Sequence, residues 1–170
     1  MGHQIKMDNK NNRFRLKPHE ITILKDIRKP KVNRLVIGDL HLPYGLPDNK
    51  YLEHCQKIAE LYNCSVFSAT GDLIDSHFSS FHSTNTQTHG AKYELDMCIE
   101  QMKDWNKAFP KVDVTIGNHD LIVHRKAEDG GIDKRWIRDF NDVLGCPGWN
   151  FQEKFVHDNV LYVHGTGCSG

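Results

Sequence analysis

The sequence predicts an α/β fold on a largely parallel sheet, and three observations predict it. Four short runs rich in β-branched residues, "RLVI", "CSVFSA", "VDVTI" and "NVLYV", each run into a glycine within a few residues, which is how buried strands are bounded. Between them lie stretches whose apolar residues recur every three or four positions, the mark of helices that bury one face. The resulting order of strand, helix, strand, helix, strand requires crossover connections, and crossovers join parallel strands.

Each element has its own justification. "RLVIGDLH" is apolar through Ile37 and then presents Gly38, Asp39 and His41. From Asp48 to Tyr62, the residues Leu52, Cys55, Ile58, Ala59 and Tyr62 fall on one helical face, with Asp48 as the expected N-cap just after Pro47. "CSVFSATGDLID" runs through Ala69 and gives Gly71, Asp72 and Asp75. The polar segment from Ser76 to Gly90 reads either as a substrate-facing loop or as an ordinary surface loop. A second helix is expected from Ala91 to Phe109, with a stripe of Leu95, Cys98, Ile99, Met102, Trp105 and Phe109.

"VTIGNHDLIV", Val114 to Val123, sets an amide, an imidazole and a carboxylate in a run of β-branched residues. Inside a strand each unsatisfied group would cost about 1–3 kcal/mol, so the strand is expected to stop at Ile116. Gly117 then supplies a turn that residues with a Cβ adopt less easily, and Asn118, His119 and Asp120 open onto a loop. That loop lies at the C-terminal end of a strand, where open α/β sheets bind ligands. A third helix is expected from Ile132 to Leu144, carrying Trp136, Ile137, Phe140, Val143 and Leu144. The end of the chain, "FQEKFVHDNVLYVHG", reads as a hairpin turning at His157-Asp158-Asn159 and finishing at His164 and Gly165.

A length of 170 residues with 38% hydrophobic content suits one folded domain with a sizeable core. Cys55, Cys64, Cys98, Cys146 and Cys168 are odd in number and show no C-x-x-C spacing, so neither a disulfide framework nor a thiolate zinc site is indicated. With no secretory signal and no apolar run of the roughly 18 residues that span a bilayer, the expectation is a cytoplasmic protein without a membrane partner. The formal net charge of zero hides a split: Met1 to Arg34 carries ten Lys or Arg against three acids. Residues 1–31 are read as a basic arm and 32–170 as the domain. The arm either contacts nucleic acid through phosphates or is a solvated tail with a short strand or helix near Ile21 to Ile27. Nothing in the sequence specifies an oligomeric state.

All four strands thus place metal-capable side chains just beyond their ends. Asp39 and His41 lie two apart, and in an extended segment their side chains point the same way and can grip one cation. A mixed oxygen and nitrogen donor set suits manganese, iron or zinc better than calcium, which prefers all-oxygen cages.

The series D-x-H, G-D-x-x-D, G-N-H-D and a later H-G, from about Leu35 to Gly170, resembles the calcineurin-like metallophosphoesterases. The resemblance implies a metallophosphoesterase-like β-sandwich of parallel and mixed sheets flanked by helices. It also implies two divalent metal ions, Mn2+ or alternatively Fe or Zn. Asp39 and His41 would bind the first, Asp72 would bridge both, and Asn118 and His164 would bind the second. His119 would protonate the leaving oxygen or stabilise the phosphoryl group, Asp75 would orient that imidazole, and Asp120 would support the loop. The reaction implied is attack of a metal-activated hydroxide on a phosphoester. His77, His82, His89 and His124 belong to no motif.

Two departures matter. The family ends its site with a further Gly-His-x-His segment, and none occurs here, so each metal would have three protein ligands. The expectation is a piece of a longer protein, the alternative a site that binds metals weakly or not at all. In the family's protein phosphatases an arginine follows G-D-x-x-D, and Glu ends the third motif; here Ser76 and Asp120 stand in those places. Both differences lean towards the phosphodiesterase and nuclease members, with nucleic acid or a nucleotide as substrate, although Arg125 or Lys126 could replace the missing cation. The rivals are a phosphomonoesterase or protein phosphatase on the same site, and a scaffold that keeps the fold without catalysis.

Overall fold

The structure of the protein, a computed structural model, describes residues 7–8, 13–14, 32–46, 49–79 and 90–165. The chain divides into two units, Met1–Lys31 and Val32–Gly170. In the first, β1 (Met7–Asp8) pairs antiparallel with β2 (Arg13–Phe14). The strand or helix expected near Ile21 to Ile27 lies outside the described residues.

The second unit runs β3 (Asn33–Ile37), α1 (Lys50–Leu61), β4 (Cys64–Ala69), α2 (Ala91–Ala108), β5 (Val112–Thr115), α3 (Ile122–Asp129), α4 (Phe140–Leu144), β6 (Trp149–Gln152), β7 (Lys154–His157) and β8 (Val160–Val163). Strands β3, β4, β5 and β6 form one parallel sheet in that order, the α/β architecture expected. Strand order follows chain order in one direction, so right-handed crossovers carry the helices onto one face. Register fixes which side chains meet them. Ile37 pairs with Ala69, Ala69 with Val114, and Val114 with Phe151, which puts all four on one face. Leu52, Cys55 and Ala59 of α1, Cys98, Met102 and Trp105 of α2 and Leu144 of α4 belong to the same core. Trp149 is buried there without an orphan polar group, because its indole N–H donates to the Phe109 carbonyl at 2.9 Å.

The opposite face is polar and meets the hairpin. Arg34 donates to Ser68 Oγ at 2.8 Å, and its guanidinium lies 5.6 Å from the centre of the Tyr162 ring on β8. His157 Nε2 on β7 sits 2.9 Å from Asp113 Oδ2 on β5. β7 and β8 pair antiparallel through the expected turn at Asp158-Asn159, both of which have positive φ.

Four expectations need correction. The residue at the N-cap of α1 is Asn49 and not Asp48; its φ is 54°, and its amide donates to Asp104 Oδ2 on α2 at 3.0 Å rather than capping its own helix. Tyr62 is 60% exposed, beyond the last turn of α1. On α2 the buried stripe starts at Glu94, 4% exposed, while Leu95 faces outward. Glu94 is buried because both carboxylate oxygens are used: they accept the N–H groups of His77 (2.7 Å) and Phe78 (3.0 Å) in the 3-10 turn His77–Ser79.

The fourth correction concerns the helix expected over Ile132 to Leu144. The helix instead begins earlier, as α3, and stops at Gly130 and Gly131, the latter at φ 74°. Asp133 then accepts the Arg135 N–H at 2.9 Å and starts a separate 3-10 turn, Lys134–Trp136. Trp136 is left 84% exposed, and only Phe140–Leu144 of the expected helix remains.

Candidate metal centre

The sheet brings the C-terminal ends of β3, β4 and β5 side by side, and the loops beyond them continue the pairing. His41 N–H donates to the Asp72 carbonyl (2.9 Å), Leu42 N–H to Leu73 (2.8 Å) and Asp75 N–H to Leu42 (2.9 Å). This ladder holds a strained path, for Asp39, His41 and Asp72 have φ of 47°, 45° and 49°. Each such residue costs of order 1–3 kcal/mol, which the surrounding hydrogen bonds offset. The segment from Asp39 to His41 is therefore not extended, as its spacing suggested. Its side chains converge all the same: donor atoms of Asp39, His41 and Asp72 lie within 4.8 Å of one another.

Asp72 is the buried centre of the site. Its Oδ1 accepts the His119 N–H at 2.9 Å, and its Oδ2 lies 3.4 Å from His164 Nε2 and 3.9 Å from His41 Nε2. Gly117 makes room for it. The φ of Gly117 is not in the left-handed region; the reason for glycine is space, since a Cβ there would come within 2.1 Å of Asp72 Oδ1 and 2.3 Å of Asp72 N.

Each histidine beside Asp72 is oriented through its other nitrogen. His164 Nδ1 lies 2.6 Å from the Thr70 carbonyl and His41 Nδ1 lies 3.0 Å from Asp75 Oδ1. Both partners only accept, so each Nδ1 donates, and each Nε2 faces Asp72. His164 Nε2 also lies 2.9 Å from Asn118 Oδ1. The contact sets an imidazole nitrogen and an amide oxygen side by side, two atom types that a divalent cation accepts as ligands.

The Asp75 carboxylate is the expected partner of His119, and the structure divides that role between two groups of Asp75. His119 Nδ1 lies 2.7 Å from the Asp75 backbone carbonyl, and the carboxylate, 3.7 Å away, takes His41 as its near partner. The His119 ring stands edge-on to His41 with centroids 4.8 Å apart.

Asp120 is 2% exposed and accepts three backbone N–H groups: Gly117 on Oδ2 (2.8 Å), Leu73 and Ile74 on Oδ1 (3.0 and 3.1 Å). Burial pushes its carboxyl above the usual range, those three hydrogen bonds oppose the shift, and the nearby Asp72 charge adds to it. The calcineurin-like phosphoesterase family model matches residues 32–168.

The chain belongs to the calcineurin-like phosphoesterases. Comparison with curated proteins and with solved structures found no match.

A calcineurin-like phosphoesterase works with divalent metal ions, and the donor set here fits them. It mixes carboxylates, an amide oxygen and imidazoles, contains no thiolate, and sets two imidazole Nε2 atoms beside one buried carboxylate. The donor group of His41, Asp75 and His119 also lies within 4.8 Å, but both Nδ1 atoms in it are engaged by Asp75.

Of the expected substrate cations, Arg125 is exposed on α3 and donates to the Asn118 carbonyl at 2.9 Å, which sets it beside the third motif. Lys126 follows it on the same helix. His77 packs against Tyr44 and Phe78, and His124 against Phe140, and neither belongs to a donor group. His82 and His89 lie outside the described residues. The carbonyl of Thr70 is an orienting group that the sequence does not reveal; no side-chain pattern could mark it, since any residue supplies a carbonyl.

Proposed function

We propose that this phosphoesterase is a two-metal phosphodiesterase acting on nucleic acid or a nucleotide in the cytoplasm. The observation that carries the reading is the convergence of His41 and His164, each with Nδ1 tied down and Nε2 turned inward, on the single carboxylate of Asp72. A carboxylate has two oxygens and can serve ions about 3.5–4 Å apart, the spacing of two-metal sites.

In this reading Asp39, His41 and Asp72 hold one ion, and Asp72, Asn118 and His164 hold the other, with Mn2+ the first candidate and Fe or Zn the alternatives. When bound, the ions supply Lewis acidity towards the attacking water and charge neutralisation at phosphorus. His119, held by the Asp75 carbonyl through Nδ1, takes a proton from solvent water onto Nε2, where the cation would bind a phosphoryl oxygen and give that proton to the leaving oxygen. Asp75 positions His41 and His119 together. Asp120 positions the two loops and touches no substrate.

The diester preference rests on charge. A phosphodiester carries one negative charge and a monoester close to two at neutral pH, and with Ser76 where protein phosphatases carry arginine, one fewer cation meets the phosphate. Arg125, close to Asn118, is the specific observation in favour of a monoester, because it could supply that charge.

Metal-stripped protein titrated with manganese tests the reading, with bound ions counted by native mass spectrometry and hydrolysis of bis(p-nitrophenyl) phosphate compared with p-nitrophenyl phosphate. Two ions per chain, faster diester cleavage, and loss of both in Asp72→Ala are expected. Undiminished ion binding in Asp72→Ala would remove the bridging carboxylate from the mechanism.

A further inference from the structure

The hairpin of β7 and β8 forms a two-stranded sheet of its own, so side chains rather than a shared ladder seat it on the four-stranded sheet. Its seat matters to the metal centre, because His164 is the first residue after β8. Register puts Phe155, His157 and Tyr162 on one face of the hairpin, with Phe155 buried. Val156, Leu161 and Val163 point the other way and are exposed, so the first face fixes where the hairpin lies.

Two polar tethers cross from that face, and both start in one row of the sheet, where Ser68 pairs with Asp113 and Asp113 with Asn150. In the first, Ser68 holds the Arg34 guanidinium that lies over the Tyr162 ring. In the second, the Asn150 amide donates to Asp113 Oδ1 at 3.2 Å and leaves Oδ2 to face His157 Nε2 at 2.9 Å. That nitrogen is sealed from solvent, and the contact is outside hydrogen-bond geometry. The carboxylate is therefore what compensates a polar atom that would otherwise be isolated. The imidazole is also stacked on Phe155, with centroids 5.7 Å apart and planes 12° apart. His157 lies at the turn end of the hairpin, opposite Val160, and Tyr162 near the end that leads to His164. A change at the turn end thus tilts the segment that carries the ligand.

We propose that Asp113 and His157 are positioning residues for His164: their contact sets the seat of the hairpin, and through it the approach of His164 Nε2 to Asp72 and Asn118. Neither belongs to a donor group, and both act from the face of the sheet opposite the helices. The inference rests on His164 as a ligand of the second ion, and one arm of its test needs no ion.

The test uses the 170-residue chain as wild type, Asp113→Asn, His157→Phe and the two combined. His157→Phe keeps the ring stack, so it remains informative if Asp113→Asn folds poorly. In metal-free protein, NMR of the histidine ring C–H groups, assigned with His164→Ala and His41→Ala, reads position directly. Each single variant should shift the His164 signals and leave those of His41 in place, and the combined variant should shift them no further. Calorimetric titration with manganese should then show one ion bound about threefold to tenfold more weakly, and the other within about twofold. The weakened ion should be the one that His164→Ala removes. Introduced into His164→Ala, Asp113→Asn should have no further effect on ion binding, whereas in His41→Ala its effect should persist. A residue that merely supports the fold would weaken both ions and act in both backgrounds. Unmoved His164 signals, equal shifts at His41, or an undiminished effect in His164→Ala would overturn the proposal. If the wild type binds no second ion but the His164 signals move as expected, the positioning role stands and the two-metal reading falls.

Discussion

Asp120 joins two loops with one side chain, because the N–H groups it accepts come from Gly117 on one side and from Leu73 and Ile74 on the other. Asp120→Ala leaves three donors without their acceptor in a site with little access to water, and the expected loss is about 2–4 kcal/mol, read as a lower urea midpoint at unchanged slope. Asp120→Asn keeps one acceptor oxygen and should fall between that variant and the wild type. At this scale the sequence is most legible where chemistry restricts the residue type. Asp39, His41, Asp72, Asn118, His119 and His164 stand at one end of the sheet, as their motifs indicate. It is least legible where one residue offers two groups. The resemblance leads one to expect Asp75 beside His119, but whether its carboxylate or its carbonyl faces that ring depends on the loop backbone, which spacing does not encode.

Among the elements, β3, β4, β5 and the first two helices are legible because period-two and period-3.6 patterns are imposed by burial itself, whereas β6, the fourth parallel strand, is not among the strands expected, and the fourth expected run is β8 of the separate hairpin. The stretch from Ile132 to Leu144 misleads for a physical reason: its apolar residues keep helical spacing, but Gly130-Gly131 and the Asp133 cap break the backbone before that spacing can be used. Trp136 therefore contributes almost nothing to the core, while Glu94, a charged residue, fixes the start of α2 against the 3-10 turn. The two make a paired prediction. Trp136→Ser should change unfolding free energy by less than about 0.5 kcal/mol, and Glu94→Ala should cost about 1–3 kcal/mol, because two N–H groups lose a charged acceptor. Thermal unfolding of the two variants side by side reads the contrast, and a larger loss in Trp136→Ser would show that the turn packs more than its exposure indicates.

Across the molecule, the buried thiols play no part in this chemistry. Burial pushes Cys98 up to about 12 and Cys55 and Cys146 up to about 11, so at neutral pH all three stay protonated. No helix among the described residues is long and apolar enough to cross a membrane. What organises the whole is the set of ties at one end of the sheet: the ladder between the first two loops, the Asp120 bridge to the third, and the Thr70 carbonyl holding the histidine that follows β8. These ties use protein groups alone, so they form as the chain folds, whatever the site later binds. Ion loading is then docking into a preset cradle, with little chain ordering and little apolar surface removed from water. Calorimetric titration with manganese at several temperatures should accordingly give a heat-capacity change near zero, where a site that folds around its ions would give a strongly negative one. The motif loops thus act as a rigid instrument whose affinity is set by the fit of ions to fixed donors, and a mutation that slackens the bridge should lower affinity by adding an entropic penalty that the native chain has already met during folding.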